Sequence, residues 1–184
     1  MDPIVLIFVG VFLTLSLVWA RLRYADFPAQ RPMDYAGQGP TLDIRQELQG
    51  KILCEGVIYG PLGRVSSRFV AEMNATWEGN TGTMTEHFRY DNGNTQDRVW
   101  TLTLGNDGRI KATAPDLVGE GAGQQEGPTV HLNYRITLPE SAGGHTLSVT
   151  DWMYMCENGT IMNRSQFRKF GIKVAELIAT MRKI

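Results

Sequence analysis

The chain has 184 residues, of which 42% are hydrophobic and 20% charged, with a formal net charge of −1. This is the composition and length of about one ordinary globular domain, and the charge balance excludes the concentrated basic surface that a nucleic-acid partner requires. Only two cysteines occur, Cys54 and Cys156, which excludes a disulfide scaffold and a cysteine-only zinc site.

Ile4 to Ala20 reads IVLIFVGVFLTLSLVWA and carries no charge. As a helix it would span about 26 Å, slightly short of a roughly 30 Å hydrocarbon core. Residues 1–23 are therefore expected to form a transmembrane anchor. Ile4, Phe8, Phe12 and Leu17 would lie in the acyl region, Trp19 at the interface, and Arg21 would reach back to the head groups. A cleaved signal peptide would need a basic start and a small-x-small cleavage site. The chain begins Met-Asp-Pro and follows its apolar run with Arg-Leu-Arg, which favours a retained helix. Arg21, Arg23 and Arg31 follow the run and none precedes it, so the positive-inside rule leans toward a cytoplasmic soluble domain.

Residues 24–41 contain Pro28, Pro32, Pro40, Gly37 and Gly39 and read as a linker. Thr41 to Leu48 fits a short helix capped by Thr41 and ended by Gly50. Beyond Gly50 the period becomes two. Phe69, Ala71, Met73, Ala75 and Trp77 alternate with polar neighbours; so do Val130, Leu132, Tyr134, Ile136 and Leu138, and then Leu147, Val149, Met153 and Met155. Such alternation predicts strands with one buried face.

Turn signals separate the runs at Gly60-Pro61, Gly79-Asn80, Asn92-Gly93, Asp107-Gly108, Gly143-Gly144 and Asn158-Gly159. The expected strands are 51–59, 65–77, 83–91, 95–104, 109–114, 129–138, 145–156, 160–167 and 172–182. Their short connections predict a single antiparallel up-and-down barrel of eight or nine strands over residues 42–184, with a sandwich as the other way to hide the edges. Leu117 to Pro128 has no periodicity and is read as a flexible loop, a candidate lid. Val174, Leu177, Ile178 and Met181 have helical spacing, so by pattern the last segment fits a helix as well as a strand.

Asp151 falls on an apolar strand face, where an unpaired carboxylate is costly. A two-residue Asn158-Gly159 turn would set Arg164 opposite Met153 and Gln166 opposite Asp151. Arg164 would then be the diagonal partner of Asp151 in an internal ion pair. That pair either fixes register or anchors a head group at the bottom of a ligand cavity, with Trp77, Trp100 and Met153 as the apolar wall. The same register sets Tyr154 opposite Asn163, with Trp152 nearby, as an exterior aromatic patch.

His87, His131 and His145 lack the spacing of a metal site, and neither they nor Glu86 stand beside a recognisable nucleophile. No metal, cofactor or catalytic set is expected. Gly119 to Gly123 lacks the Lys-Ser/Thr of a phosphate loop. The sequons at Asn74, Asn158 and Asn163 are common chance matches.

Several stretches together resemble the bacterial DUF3833 family. They are Thr76-Trp77-Glu78-Gly79, Phe88-Arg89-Tyr90-Asp91-Asn92-Gly93, Arg98-Val99-Trp100, Ala114-Pro115-Asp116-Leu117-Val118-Gly119, Asp151-Trp152-Met153-Tyr154, Asn163-Arg164 and Lys169-Phe170-Gly171. The resemblance covers about residues 40–184. It implies a lipocalin-like β domain in a bacterial protein and a final strand rather than a helix, but brings no activity with it; the apolar N-terminal helix is what places the chain at the inner membrane. Many members resemble lipoproteins, whereas this chain has no cysteine near residue 20. The expected function is a single-pass, non-enzymatic barrel that binds a lipid or other apolar ligand near the bilayer. The alternatives are an accessory subunit packed on integral-membrane partners and a lipid-modifying enzyme.

Overall fold

The structure, a computed structural model, describes residues 2–184, the side chain of Ser141 apart. Helix α1 runs Pro3–Tyr24. Asp2 caps it by accepting the Ile4 N–H at 2.9 Å, and Pro3 occupies the first helical position, where no N–H is needed. Arg21 and Arg23 lie in the last turn, where the carbonyl ends favour cations. None of its residues is buried against the rest of the chain. The helix is long and apolar enough to cross a membrane, a profile that an N-terminal signal sequence shares.

The linker is ordered as two 3₁₀ turns, Phe27–Ala29 and Pro32–Tyr35. Helix α2 is shorter than expected, Ile44–Glu47. Its cap is Asp43, which accepts the Arg45 N–H at 3.0 Å, and not Thr41. Gly50, expected to end the helix, instead opens the first strand with φ +77°.

Ten strands follow: β1 Gly50–Tyr59, β2 Val65–Glu78, β3 Thr81–Tyr90, β4 Thr95–Leu104, β5 Arg109–Thr113, β6 Gly121–Glu126, β7 Thr129–Thr137, β8 Thr146–Met155, β9 Ile161–Lys169 and β10 Ile172–Lys183. Each pairs antiparallel with its sequence neighbour, and β1 pairs β10 through Cys54↔Met181, so the barrel is closed. The mainly β, up-and-down, lipocalin-like architecture is as read from the sequence; the strand count is ten rather than eight or nine.

The additional strand is β6, inside the segment read as a flexible loop. Its inward positions are Gly121, Gly123 and Gln125, so it shows no apolar alternation. A Cβ on Gly123 would lie 2.1 Å from the His131 carbonyl oxygen and 2.5 Å from Leu132 Cδ2. The side chains of β7 fill the space that β6 leaves.

The last segment is a strand. A register shift between Lys173 and Ala175 takes Val174 out of phase and produces the helix-like spacing. Leu177 and Met181 then face the interior.

One end of the barrel is blocked. Leu42, Ile44 and Leu48, from α2 and its flanks, are fully buried there. Leu42 donates its N–H to Gly127 O at 2.9 Å, and Ile44 donates to Gln125 Oε1 at 3.2 Å. Trp77 completes the floor by donating its indole N–H to Leu48 O at 3.0 Å. Its ring lies over Gly82, where a Cβ would come within 2.6 Å of the indole; only glycine fits there.

Candidate functional site: the barrel lumen

The lumen holds a cavity of about 870 Å³. Leu48 forms its floor, and Phe69, Phe88, Leu132 and Met153 line the walls. The other end is framed by the β3–β4 turn (Asn92, Asn94), the start of β2 (Ser66, Ser67) and the β7–β8 connection (Pro139).

Two polar groups interrupt the apolar wall. The first is built on Arg98, which β4 points inward beside Trp100. Arg98 gives Nε to Asp116 Oδ2 at 2.8 Å and Nη2 to Asp116 Oδ1 at 3.2 Å. Its Nη1 lies 3.6 Å from Glu86 Oε2, and its Cζ stands 4.6 Å from the Trp100 ring centroid. Glu86 occupies the inward face of β3 between Met84 and Phe88, with a side chain only 6% exposed. Its Oε2 has no hydrogen-bond donor among the described residues. Burial pushes its carboxyl up to about 7, against the opposing pull of Arg98.

The second group is built on Asp151, directly opposite Ser165. Asp151 Oδ1 accepts the Ser165 hydroxyl at 2.9 Å and also the Asn163 amide. Asn163 additionally donates to Trp152 O at 3.1 Å, which fixes its orientation. Burial raises the Asp151 carboxyl above its ordinary value, opposed by those two donors and by the Arg98 charge.

The expected Asp151–Arg164 ion pair does not exist. Cys156 N–H donates to Thr160 O, Gly159 N–H donates to Cys156 O, and Gly159 has φ +81°, so the hairpin loop is a residue longer than a two-residue turn. The register moves by one, and every side chain of β9 changes face. Arg164 points outward, where it binds Glu176 at 2.5 Å and lies 4.5 Å over Phe27. Asn163 and Ser165 take the interior positions; Tyr154 pairs with Met162 rather than Asn163.

Of the other expected wall residues, Trp100 and Met153 line the cavity, while Trp77 serves the floor. The outward signal was present in β9 itself, because Met162, Arg164, Gln166 and Arg168 share one largely polar face. Glu86 and Arg98 as a pair were missed, although each sits at an inward position of an alternating strand.

The exterior aromatic patch packs the linker. Trp152 is fully buried between His131 (4.5 Å between ring centroids) and Tyr35 (5.5 Å). Tyr154 donates its hydroxyl to Gln30 Oε1 at 2.7 Å, and Phe27 is buried under Arg164. The linker therefore climbs the outer wall, from the β6–β7 turn at the blocked end toward the middle of β9.

His87 pairs with Asp97 at 2.5 Å on the exposed outer face. No group of three or more His, Cys, Asp or Glu side chains suited to a metal ion occurs among the described residues. Cys54 and Cys156 are both free thiols. Burial, with Glu86 and Asp151 adding to it, pushes the Cys54 thiol up to about 12.

A family model described as "Protein of unknown function (DUF3833)" matches residues 23–183, which takes in the linker as well as the barrel. The chain belongs to the DUF3833 family. No curated protein matches it in sequence. Among solved structures, this DUF3833 barrel is similar to the S-type phycobiliprotein lyase CPES from Guillardia theta, with TM-score 0.58 and 9% identity over 77% of this chain and 90% of that one. It is also similar to Rv2717c from M. tuberculosis, with TM-score 0.55 and 16% identity over 80% of this chain and 99% of that one. At these identities the likeness is one of fold.

Proposed function

We propose that this DUF3833 protein is a binding module whose lumen takes up one apolar or amphiphilic small molecule, a lipid among the candidates, and that α1 holds it at a bacterial inner membrane. The observation that carries this is the cavity itself. About 870 Å³ lies within the roughly 300–1,000 Å³ of small-molecule sites, and an apolar wall with a few converging polar groups is their usual chemistry. The fold shared with a phycobiliprotein lyase is compatible with such a role. The one thiol among the lining residues, Cys54, is held in its un-ionised, weakly nucleophilic form.

The test is native mass spectrometry of the full-length protein released from mild detergent, together with titration of the apolar fluorophore N-phenyl-1-naphthylamine. A retained adduct or saturable fluorescence enhancement at one site per chain is expected. A bare mass together with no enhancement would overturn the reading. A second reading, an accessory subunit of an inner-membrane complex, draws on α1, whose apolar faces are all unpacked within the chain. Co-purification of a stoichiometric integral-membrane partner would support it, and elution always as a lone chain would oppose it.

A further inference from the structure

The polar part of the cavity is short of positive charge. Four carboxyl groups occur among the lining residues, Glu86, Asp116 and Asp151 within the lumen and Asp97 at its rim beside His87, and Arg98 is the one cationic side chain there. Arg98 gives Nε and Nη2 to Asp116 and turns Nη1 toward Glu86 Oε2 at 3.6 Å, so its single positive charge is already shared between two carboxylates. Glu86 lines the cavity, and its Oε2 is buried with no hydrogen-bond donor among the described residues, Arg98 Nη1 standing 3.6 Å away. Both donors that reach Asp151 go to Oδ1, so Oδ2 has no protein donor among the described residues. An acceptor oxygen buried without a partner is costly, by about 1–3 kcal/mol for a neutral group and more for a charged one. Water or a ligand donor has to meet it. An anionic ligand head would bring more acceptors to a site that already has too many.

We propose that the cavity selects a cationic amphiphile, an apolar body carrying a protonated nitrogen held by the Glu86 and Asp151 carboxyl groups. This rests on the reading of the lumen as a ligand site and states which ligands that site takes. A fatty-acid-like carboxylate is the disfavoured class, and a neutral alcohol is intermediate. The nitrogen would sit between β3 and β8, level with Arg98, with the apolar body extending toward Phe69, Phe88 and Met153.

Three water-soluble compounds with the same apolar cage separate the classes: 1-adamantylamine, 1-adamantanol and adamantane-1-carboxylate. Each is titrated at pH 8 against bound N-phenyl-1-naphthylamine on the full-length protein in detergent. The amine is expected to displace the fluorophore at least tenfold more effectively than the carboxylate. Glu86→Gln and Asp151→Asn, each still binding the fluorophore, should shrink that preference at least threefold. Displacement by the carboxylate as effective as by the amine overturns the proposal and leaves the binding reading intact. So does an amine preference unchanged in both variants. Failure of the native protein to bind the fluorophore or any of the three cages overturns the binding reading and this proposal with it.

Discussion

Arg98 and Asp116 form a two-point ion pair, 2.8 and 3.2 Å, that ties β4 to the connection between β5 and β6. The guanidinium is mostly buried, and Asp116 is about a quarter exposed. The same segment is also tied to β7 through its backbone, where Asp116 O accepts the Thr137 N–H and Val118 donates to Arg135 O, each at 2.9 Å.

Asp116→Asn should therefore destabilise the protein by about 2 kcal/mol, below the 3–5 kcal/mol typical of a broken buried pair because Glu86 remains beside Arg98. It should also release the guanidinium toward the lumen and move ligand preference toward carboxylates. Chemical denaturation and the adamantane series measure the two effects. Unchanged stability would mean that the pair is fully screened.

The pH dependence of stability follows from Glu86. Its carboxyl rises from an ordinary 4.5 to about 7 in the folded protein. Between those values the folded chain holds a proton that the unfolded chain has released, so stability falls as pH rises through this window. The contribution is fully present below 4.5 and lost above 7, and its size is on the order of 3 kcal/mol. Melting curves at pH 5 and pH 8 should show the drop. Glu86→Gln should flatten it, though not abolish it, since burial raises Asp151 in the same direction. Parallel pH profiles for the two proteins would show that Glu86 is not the group responsible.

The floor of the cavity depends on Trp77 and Gly82. Trp77→Ala should cost roughly 3 kcal/mol, the low end for a tryptophan because the ring is only partly buried. Trp77→Phe keeps the ring contact and loses the bond to Leu48, about 1 kcal/mol. Gly82→Val should cost at least as much as Trp77→Phe, because its side chain and the indole cannot both fit. Equilibrium unfolding ranks the three.

Phe170, in the β9–β10 turn, has φ +51° and is 93% exposed. A left-handed backbone costs a residue other than glycine about 1–2 kcal/mol, and so exposed a ring recovers little by burial. Lys169 lies 5.8 Å from the ring centroid, a contact worth about 0.5 kcal/mol at an exposed site. Phe170→Asn, a residue tolerant of this conformation, should raise stability by about 0.5 kcal/mol, or about 1–2 °C in Tm. A lower Tm would mean that the ring makes a stabilising contact.

Sequence pattern exposed most of the barrel because strands with one dry face must alternate, and β2, β7 and β8 do so plainly. It failed where small residues stand in for large ones, as at Gly121 and Gly123, and where one residue in a turn decides a whole strand. The loop after Met155 is such a case: its added residue sends Arg164 to Phe27 and brings Asn163 and Ser165 to Asp151. Asp151 itself was legible as a buried carboxylate in need of partners. Glu86 and Arg98 were legible in principle, since both interrupt apolar faces. Their pairing depends on β3–β4 register and on Asp116 folding back from a connection that has no period.

The blocked end has a kinetic consequence. A tube stoppered by Leu48 and Trp77 has a single door, so entry and departure share one path and one barrier. A newcomer cannot push an occupant out from behind; exchange has to proceed by vacancy first and refilling after. Residence time would then answer to substitutions around Asn92, Asn94 and Pro139 more than to those at the floor. Such a vessel can receive and hand over a cargo at its rim, but it cannot serve as a channel along its axis.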